Sequence, residues 1–379
     1  MKLWQTEQQL NQDIEAFTIG RDRELDLLLA PFDVQGSLAH IQMLESVGLL
    51  EKKELAPLQK ELQSIYADTQ NGQFEIEEGV EDVHSQIEWM LTQRLGVVGK
   101  KIHSGRSRND QVLVDLRLFF RAEIRKIAQA SQQLFESLMA QSQRYETVLM
   151  PGYTHMQIAM VSSFGMWLGA YAESLTEDML QLHAAYRIIN QNPLGSAAGY
   201  GSSMPLNRAM TTQLLGFDEL CYNSMHAQMG RGKTELFLSF SIAAIAQTLN
   251  KLAMDVCLFS SQNFAFISLP ESLTTGSSIM PHKKNPDVFE LIRGRCNQLL
   301  ALPQQIGMLC SNLPSGYHRD YQLLKEVIFP ALQQLKDCLK MTQLGIEQLS
   351  INTQILDDPK YRYLYSVELV NEEVIKGLP

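Results

Sequence analysis

The sequence predicts an all-α protein built as a long helix bundle. Helix breakers are spread very unevenly: 45 residues separate Gly105 from Pro151, 37 separate Gly232 from Pro270 and 23 separate Gly169 from Pro193, none of them Gly or Pro. Within the first run Leu113, Leu116, Phe120, Ile124, Ile127, Leu134 and Leu138 recur at steps of three, four or seven, which is one apolar stripe of an amphipathic helix. Neither of the two longest runs alternates with period two, and no Asn-Gly turn joins β-rich segments.

Taken in order, the first hundred residues read as shorter helices broken near Pro31, Gly48, Pro57 and Gly72, giving an N-terminal helical domain at 1–104. The run after Gly105 is long enough for a rod of roughly 60 Å at about 1.5 Å per residue. Residues 233–269 contain LFLSFSIAAIAQTLNKLAMDVCLF, apolar on more than one side, which belongs at the centre of a bundle or against another subunit. Together 105–350 form a central long-helix bundle domain, and 351–379 a further small helical domain.

With 379 residues, the chain has ample length for a core and for two or three domains. Gly 23 and Pro 13 together are under a tenth of it, which excludes collagen-like and low-complexity classes. The net charge of −10 and the lack of a dense Lys/Arg tract argue against a nucleic-acid partner or a membrane-surface helix. Cys221, Cys257, Cys296, Cys310 and Cys338 show no CxxC pair, so reduced thiols in a cytoplasmic protein are expected, with no zinc site. No signal-peptide pattern opens the chain, and no 18-residue apolar stretch is expected to cross a bilayer.

Four segments could carry chemistry. In Thr274–Asp287 a Gly and small hydroxyl residues make a mobile loop with Lys283, after which Asn285-Pro286-Asp287 reads as a helix start with Asn at the cap. Such a helix start beside hydroxyls and an ammonium suits a carboxylate or a developing oxyanion. His103–Gln111 sets two arginines, two serines and Asn109 at the entrance of the rod, a place for a dicarboxylate, though the same residues serve plain capping. Pro151–Gln157 puts His155 after a turn between two long helices, where a general acid or base would sit, as would a structural hydrogen bonder. In Pro314–Lys325 a helix would place Tyr321 and Lys325 on one face, with Gln322 beside them; a solvated polar face has the same pattern. Ala227–Thr234 fits a relaxed phosphate-loop spacing, but CYNSMH before it is no buried strand and no parallel sheet is in prospect.

Together and in this order, GSSIMPHKKNP, HSGRSRNDQV, PGYTHMQ and NPLGS resemble the fumarase/aspartase superfamily and, within it, the argininosuccinate lyase family, as do KLW at 2–4 and PFDVQGS at 31–37. The resemblance implies an all-helical homotetramer with a multi-helix core, and reversible cleavage of argininosuccinate to arginine and fumarate without metal or organic cofactor. It implies Ser277 and His155 as catalytic residues, assisted by Lys283, with Glu290 raising the basicity of the histidine. Ser107, Arg108, Asn109, Thr154, Asn285, Tyr317, Gln322 and Lys325 match substrate-binding positions, and segments around Asn109, His155 and Ser277 would meet from three chains. The chemistry needs a base for a carbon-bound proton and an acid for the departing nitrogen; of Ser277 and His155, Ser277 is favoured as the base, and the acid is left open. An adenylosuccinate-type lyase and a non-catalytic crystallin-like relative share much of this pattern.

Some positions depart from the family. Asp22 stands where a serine is usual, four residues before Asp26; NSMHAQMGRGK carries His226 and Gly232 in place of two aspartates; Val161 replaces a proline. The resemblance also implies a C-terminal domain running several dozen residues beyond Pro379, so 351–379 is expected to be an incomplete one.

Overall fold

The computed structural model describes residues 12–276 and 278–378. Its helices are α1 (Gln12–Ile19), α2 (Asp22–Asp26), α3 (Ala30–Ser46), α4 (Lys52–Gln70), α5 (Val83–Leu95), α6 (Val97–Lys100), α7 (Arg108–Arg144), α8 (Phe164–Ile189), α9 (Arg208–Leu214), α10 (Ser224–Met229), α11 (Lys233–Phe259), α12 (Asp287–Leu300), α13 (Leu302–Leu309), α14 (Leu323–Gln348) and α15 (Ser366–Ile375). The described strands form only two-stranded pairs, so the all-α class predicted from the breaker pattern is the observed one.

The chain resolves into two compact units. One comprises 1–125, 183–240 and 302–330, the other 126–182, 241–301 and 331–379; α7, α8, α11 and α14 contribute residues to both. The first unit has a core of Val34, Ile41, Leu44, Leu58, Leu62, Ile65, Ile87 and Leu91, drawn from α3, α4 and α5. Gly48 (φ +78) and Gly72 (φ +68) close α3 and α4, as expected of C-terminal glycines. Pro57 does not break the chain: it lies inside α4, early enough that only one backbone bond is lost, and a capping box between Glu51 and Glu54 secures the start.

All seven residues of the predicted α7 stripe are buried. In the second unit α7 and α8 approach so closely at Gly165 that a Cβ there would lie 2.7 Å from the Ser142 carbonyl oxygen and 2.6 Å from the Glu146 Cα. Asp255 on α11 accepts hydrogen bonds from Trp167 Nε1 (2.9 Å) and the Tyr171 hydroxyl (2.6 Å) on α8.

Two further sequence expectations are corrected. The helix from 233 stops at Phe259 rather than running to 269: the Ser260 and Ser261 hydroxyls turn back to the carbonyls of Cys257 (3.3 Å) and Leu258 (2.6 Å), and Ala265 takes φ +50. That helix is also long and apolar enough to cross a membrane by length and composition, with mean hydropathy 1.3 over its best window. Leu238, Ile242, Ile245, Leu249, Ala253 and Val256 are nonetheless buried within the chain, the pattern of a core helix.

Candidate active site

Five of the residues named from the sequence meet in the first unit. Arg108, Asn109, Tyr317, Gln322 and Lys325 line one cavity of about 160 Å³, together with Asp22, Asp26, Glu81, Asp82, His84, Val112 and Arg319. Two helix entrances build it. At the start of α7 the Ser107 hydroxyl accepts from Asn109 N–H (3.3 Å) while Asp110 Oδ1 accepts from Ser107 N–H (2.8 Å). Capping and ligand display are therefore both met here: Ser107 and Asp110 cap, Arg108 and Asn109 face the cavity. At the start of α14 a 3-10 turn (Arg319–Gln322) leads into the helix, burying Tyr321 and Lys325.

The cations in this cavity are paired. Lys325 Nζ lies 2.5 Å from Asp26 and 2.7 Å from Asp22. Burial opposes its charge, but the two carboxylates outweigh that and push Lys325 up. Arg108 pairs with Glu81 (3.2 Å) and with Asp82, and Arg319 with Glu81 (3.0 Å). Gln322 Nε2 donates to the carbonyls of Thr18 and Ile19, both at 2.9 Å. Burial, with help from Asp26, pushes the Asp22 carboxyl up to about 6 against the pull of Lys325.

Behind the cavity, His84 Nδ1 lies 2.5 Å from Asp33 and 3.6 Å from Asp115. Burial opposes the imidazolium, yet Asp33, joined by Asp82 and Asp26, pushes His84 up, while burial and Asp33 push Asp115 well up. The ligand atoms of these three residues lie within 4.8 Å of one another, a spacing that could hold a cation. Their charges are already matched internally, and Arg106 joins them through Ser37, which donates to Asp33.

Thr154, His155, Lys283, Asn285 and Glu290 lie in the second unit. Thr154 and His155 are not on a plain interhelical turn but at the tip of a hairpin, β1 (Leu149–Thr154) with β2 (Gln157–Ser163). His155 (φ +53) and Met156 (φ +60) form its two-residue turn, a left-handed pair that usually calls for Asn-Gly. Such backbone strain at exposed residues is what functional sites store. The hairpin is anchored by Tyr153, whose ring packs on Phe264 (5.5 Å) and whose hydroxyl meets that of Tyr361 (3.2 Å).

Thr275 and Gly276 pair with Asn285 and Lys284, making the glycine-hydroxyl loop a second hairpin. Lys283 is exposed on it. Ser277, like KLW at 2–4, lies outside the described residues. Asn285 is not the helix cap: α12 begins at Asp287 behind Pro286, and Asn285 Nδ2 donates to Thr275 Oγ1 (3.4 Å), whose hydroxyl bonds Asp287. Glu290 sits in the first turn of α12, 3.9 Å from Arg293.

The phosphate-loop spacing at 227–234 serves packing. Arg231 is buried against Glu235 (2.9 Å) and the Tyr321 carbonyl (2.8 Å), and Gly232 N–H donates to Glu235 (2.7 Å). Sequence reasoning missed Glu81, Asp82, His84 and Arg319. A signal was present in Glu81-Asp82-Val83-His84, where Asp82 caps α5 through Ser85 N–H (2.9 Å).

Residues 6–301 match the family model described as lyase. An argininosuccinate lyase of Bacteroides thetaiotaomicron is 65% identical over 378 residues, covering 100% of this chain and 85% of the relative. One from Thermotoga neapolitana is 36% identical, covering 100% of this chain and 95% of the relative. Among solved structures, an EDDS lyase in complex with formate superposes with TM-score 0.81 at 26% identity, covering 99% of this chain and 74% of that one. A class II fumarase from Schistosoma mansoni shares the fold, with TM-score 0.77 at 19% identity over 91% of this chain and 82% of that one. On this similarity along its whole length, the chain belongs to the argininosuccinate lyase family of the fumarase/aspartase superfamily and is an enzyme of the lyase class.

Proposed function

We propose that the chain carries out the reversible elimination of fumarate from argininosuccinate to give arginine, in arginine biosynthesis. The observation that carries this beyond the family name is the first-unit cavity, where Arg108, Asn109, Tyr317, Gln322 and Lys325 converge although more than 200 residues of sequence separate the two groups. Its interleaved cations and carboxylates suit the zwitterionic end of an amino acid better than a plain dicarboxylate. Gln322 and Lys325 hold the arginine end in this reading. Asn109, Arg108 and Thr154 hold the succinyl end with Lys283 and Asn285, and Ser107 places Asn109.

Elimination removes a weakly acidic C–H proton beside a carboxylate, so negative charge builds on that carboxylate. Lys283 and Asn285 are the donors assigned to stabilise it. Ser277 takes the proton once Lys283 and loop amides lower the cost of its alkoxide, and His155, made more basic by Glu290, assists. The pairing of Thr275 with Asn285 and Gly276 with Lys284 supports this assignment, because it holds the two ends of the Ser277 loop side by side.

A homotetramer with shared sites is part of the same proposal. Its support is a stripe along α11, Lys233, Phe237, Phe240, Ala244, Gln247, Lys251, Met254 and Leu258, spaced alternately four and three apart and left exposed or half-exposed. Phe237, Phe240 and Met254 are 37, 45 and 45% exposed, apolar positions of coiled-coil spacing, set among Lys233, Gln247 and Lys251, that ask for partner helices. A cytoplasmic location is proposed from the five free cysteines, and the domain division at 104 and 350 is proposed from the sequence alone.

Fumarate absorbance on incubation with argininosuccinate, set beside adenylosuccinate and aspartate, tests the activity. Ser277→Ala should lose about 10²–10⁴-fold in turnover with its thermal unfolding unchanged, as removal of a positioned proton-transfer group does. A purified variant keeping more than about a tenth of the activity removes Ser277 as the base.

A further inference from the structure

Far from the residues discussed above, the second unit holds two thiols against each other. α12 and α14 run antiparallel there: Gln334 Nε2 donates to the Arg295 carbonyl (2.9 Å) and to Gln298 Oε1 (3.2 Å), while Met341, two turns on, shares a cavity with Val288. Cys338, one turn past Gln334, therefore comes level with the stretch of α12 that holds Ile292 and Cys296. Both cysteines point inward, Cys296 at 0% and Cys338 at 1% exposure, and their thiols are hydrogen-bonded to each other. They differ in access. Cys338 lines the open cavity of about 380 Å³ between the two helices, with Ile292, Met341, Arg295 and Asp337, and Cys296 lies behind it. They differ in acidity too. The bond from Cys296 pulls the Cys338 thiol down, against burial and with help from Arg295, whereas that same bond and burial push Cys296 up. Burial pushes the other three thiols up, Cys257 and Cys310 to about 11 and Cys221 by less. Cys338 is thus the one cysteine of the five whose thiolate is favoured, and it faces a cavity that water-sized molecules enter.

We propose that Cys338 and Cys296 are a redox-active pair, in which a hydroperoxide entering this cavity oxidises Cys338 and Cys296 then closes on it as a disulfide. In the first step the Cys338 thiolate attacks one peroxide oxygen. A sulfur–oxygen bond forms, the oxygen–oxygen bond breaks, and the sulfur is oxidised to a sulfenic acid while the peroxide leaves as hydroxide, which solvent protonates. In the second step the Cys296 sulfur attacks that of Cys338, and its proton departs with the sulfenic hydroxyl as water. The product ties α12 to α14, and an external dithiol restores both cysteines. A bond of this kind is compatible with a reducing compartment, where disulfides that do form are transient.

Hydrogen peroxide added to the folded, full-length protein tests the pair, with free thiols alkylated at intervals and peptides read by mass spectrometry. In wild type a disulfide between Cys296 and Cys338 should form about tenfold faster than the half-buried Cys257 and Cys310 oxidise, and dithiothreitol should reverse it. Cys296→Ser, which keeps a hydroxyl donor beside Cys338, should stop at a Cys338 sulfenic acid that dimedone captures. Cys338→Ser should leave Cys296 unoxidised over the same interval. Wild type decides the main point even if neither variant folds. Cys296 and Cys338 still reduced after Cys257 and Cys310 have reacted would overturn the proposal, as would a disulfide formed only after the protein is unfolded. A dimedone adduct on Cys296 in Cys338→Ser would overturn the order of attack, and with it the role given to the cavity.

Discussion

Asp110 ties the start of α7 to the loop after α8, and its removal should be costly. The side chain is fully buried. Its Oδ1 accepts from Ser107 N–H at 2.8 Å, and its Oδ2 from Gly195 N–H at 2.9 Å and Ala197 N–H at 3.0 Å. Gly195 and Ala197 sit at φ +86 and +52, so the loop needs that external acceptor to hold its shape. Asp110→Ala leaves three amides without a partner. Taking about 2 kcal/mol for the buried Gly195 amide and about 1 kcal/mol for each of the two part-buried ones gives roughly 4 kcal/mol. At about 2–4 °C per kcal/mol for a chain of this size, thermal unfolding followed by circular dichroism should drop by about 10 °C. Asp110→Asn keeps one acceptor oxygen and should lose about half as much. Because Arg108 and Asn109 share the first turn of α7, KM should rise more than kcat falls in whichever variant stays folded. A loss below about 1 kcal/mol in Asp110→Ala would show that water replaces the carboxylate, and this account of the helix start would be abandoned.

Two further outcomes are expected. Asp22 keeps its proton up to about pH 6 in the folded chain but only to about pH 4 when unfolded. Between those values the folded state binds more protons, so this group lowers stability as pH rises through the window. Asp22→Asn should therefore gain stability relative to wild type between pH 4.5 and pH 7 in a series of melts (those limits being roughly the two pKa values); a constant difference across that range counts against the raised acidity constant. For assembly, His155→Asn and Ser277→Ala homotetramers should each be nearly inactive, while co-refolding the two variants should restore measurable turnover, since some mixed sites draw both residues from intact chains. Mixed tetramers that stay dead would mean that each site is built within one chain.

The long helices were legible because their cause is local. Freedom from Gly and Pro over 45 residues, with an apolar stripe, leaves little but a helix, and α7 follows it from Arg108 to Arg144. Where the deciding contact is distant, the sequence was silent. The His155 hairpin carries neither Asn nor Gly in its turn, and its stability comes from Tyr153 against Phe264 and Tyr361, residues about 110 and 208 positions away. The overlong 233–269 helix has the same origin: Ser260 and Ser261 end it by hydroxyl bonds that compete with the helix, a choice that serines leave open in sequence.

The cavity shows why half of a charged site is harder to read than the other half. Lysine and arginine beside a helix entrance are recognisable as candidate ligand holders, so Arg108 and Lys325 were found, although Arg319 was not. The carboxylates that let them be buried are chosen by the fold and not by neighbours in sequence: Asp26 lies 299 positions from Lys325, and Glu81 lies 238 from Arg319. Without them Lys325 would be a buried, unpaired cation, which folding does not tolerate. Every buried cation inferred from sequence therefore carries an obligation to find its anions, and at this site meeting that obligation exposes Asp22. Asp22, which stands where the family has a serine, is the second carboxylate on Lys325, at 2.7 Å beside Asp26 at 2.5 Å.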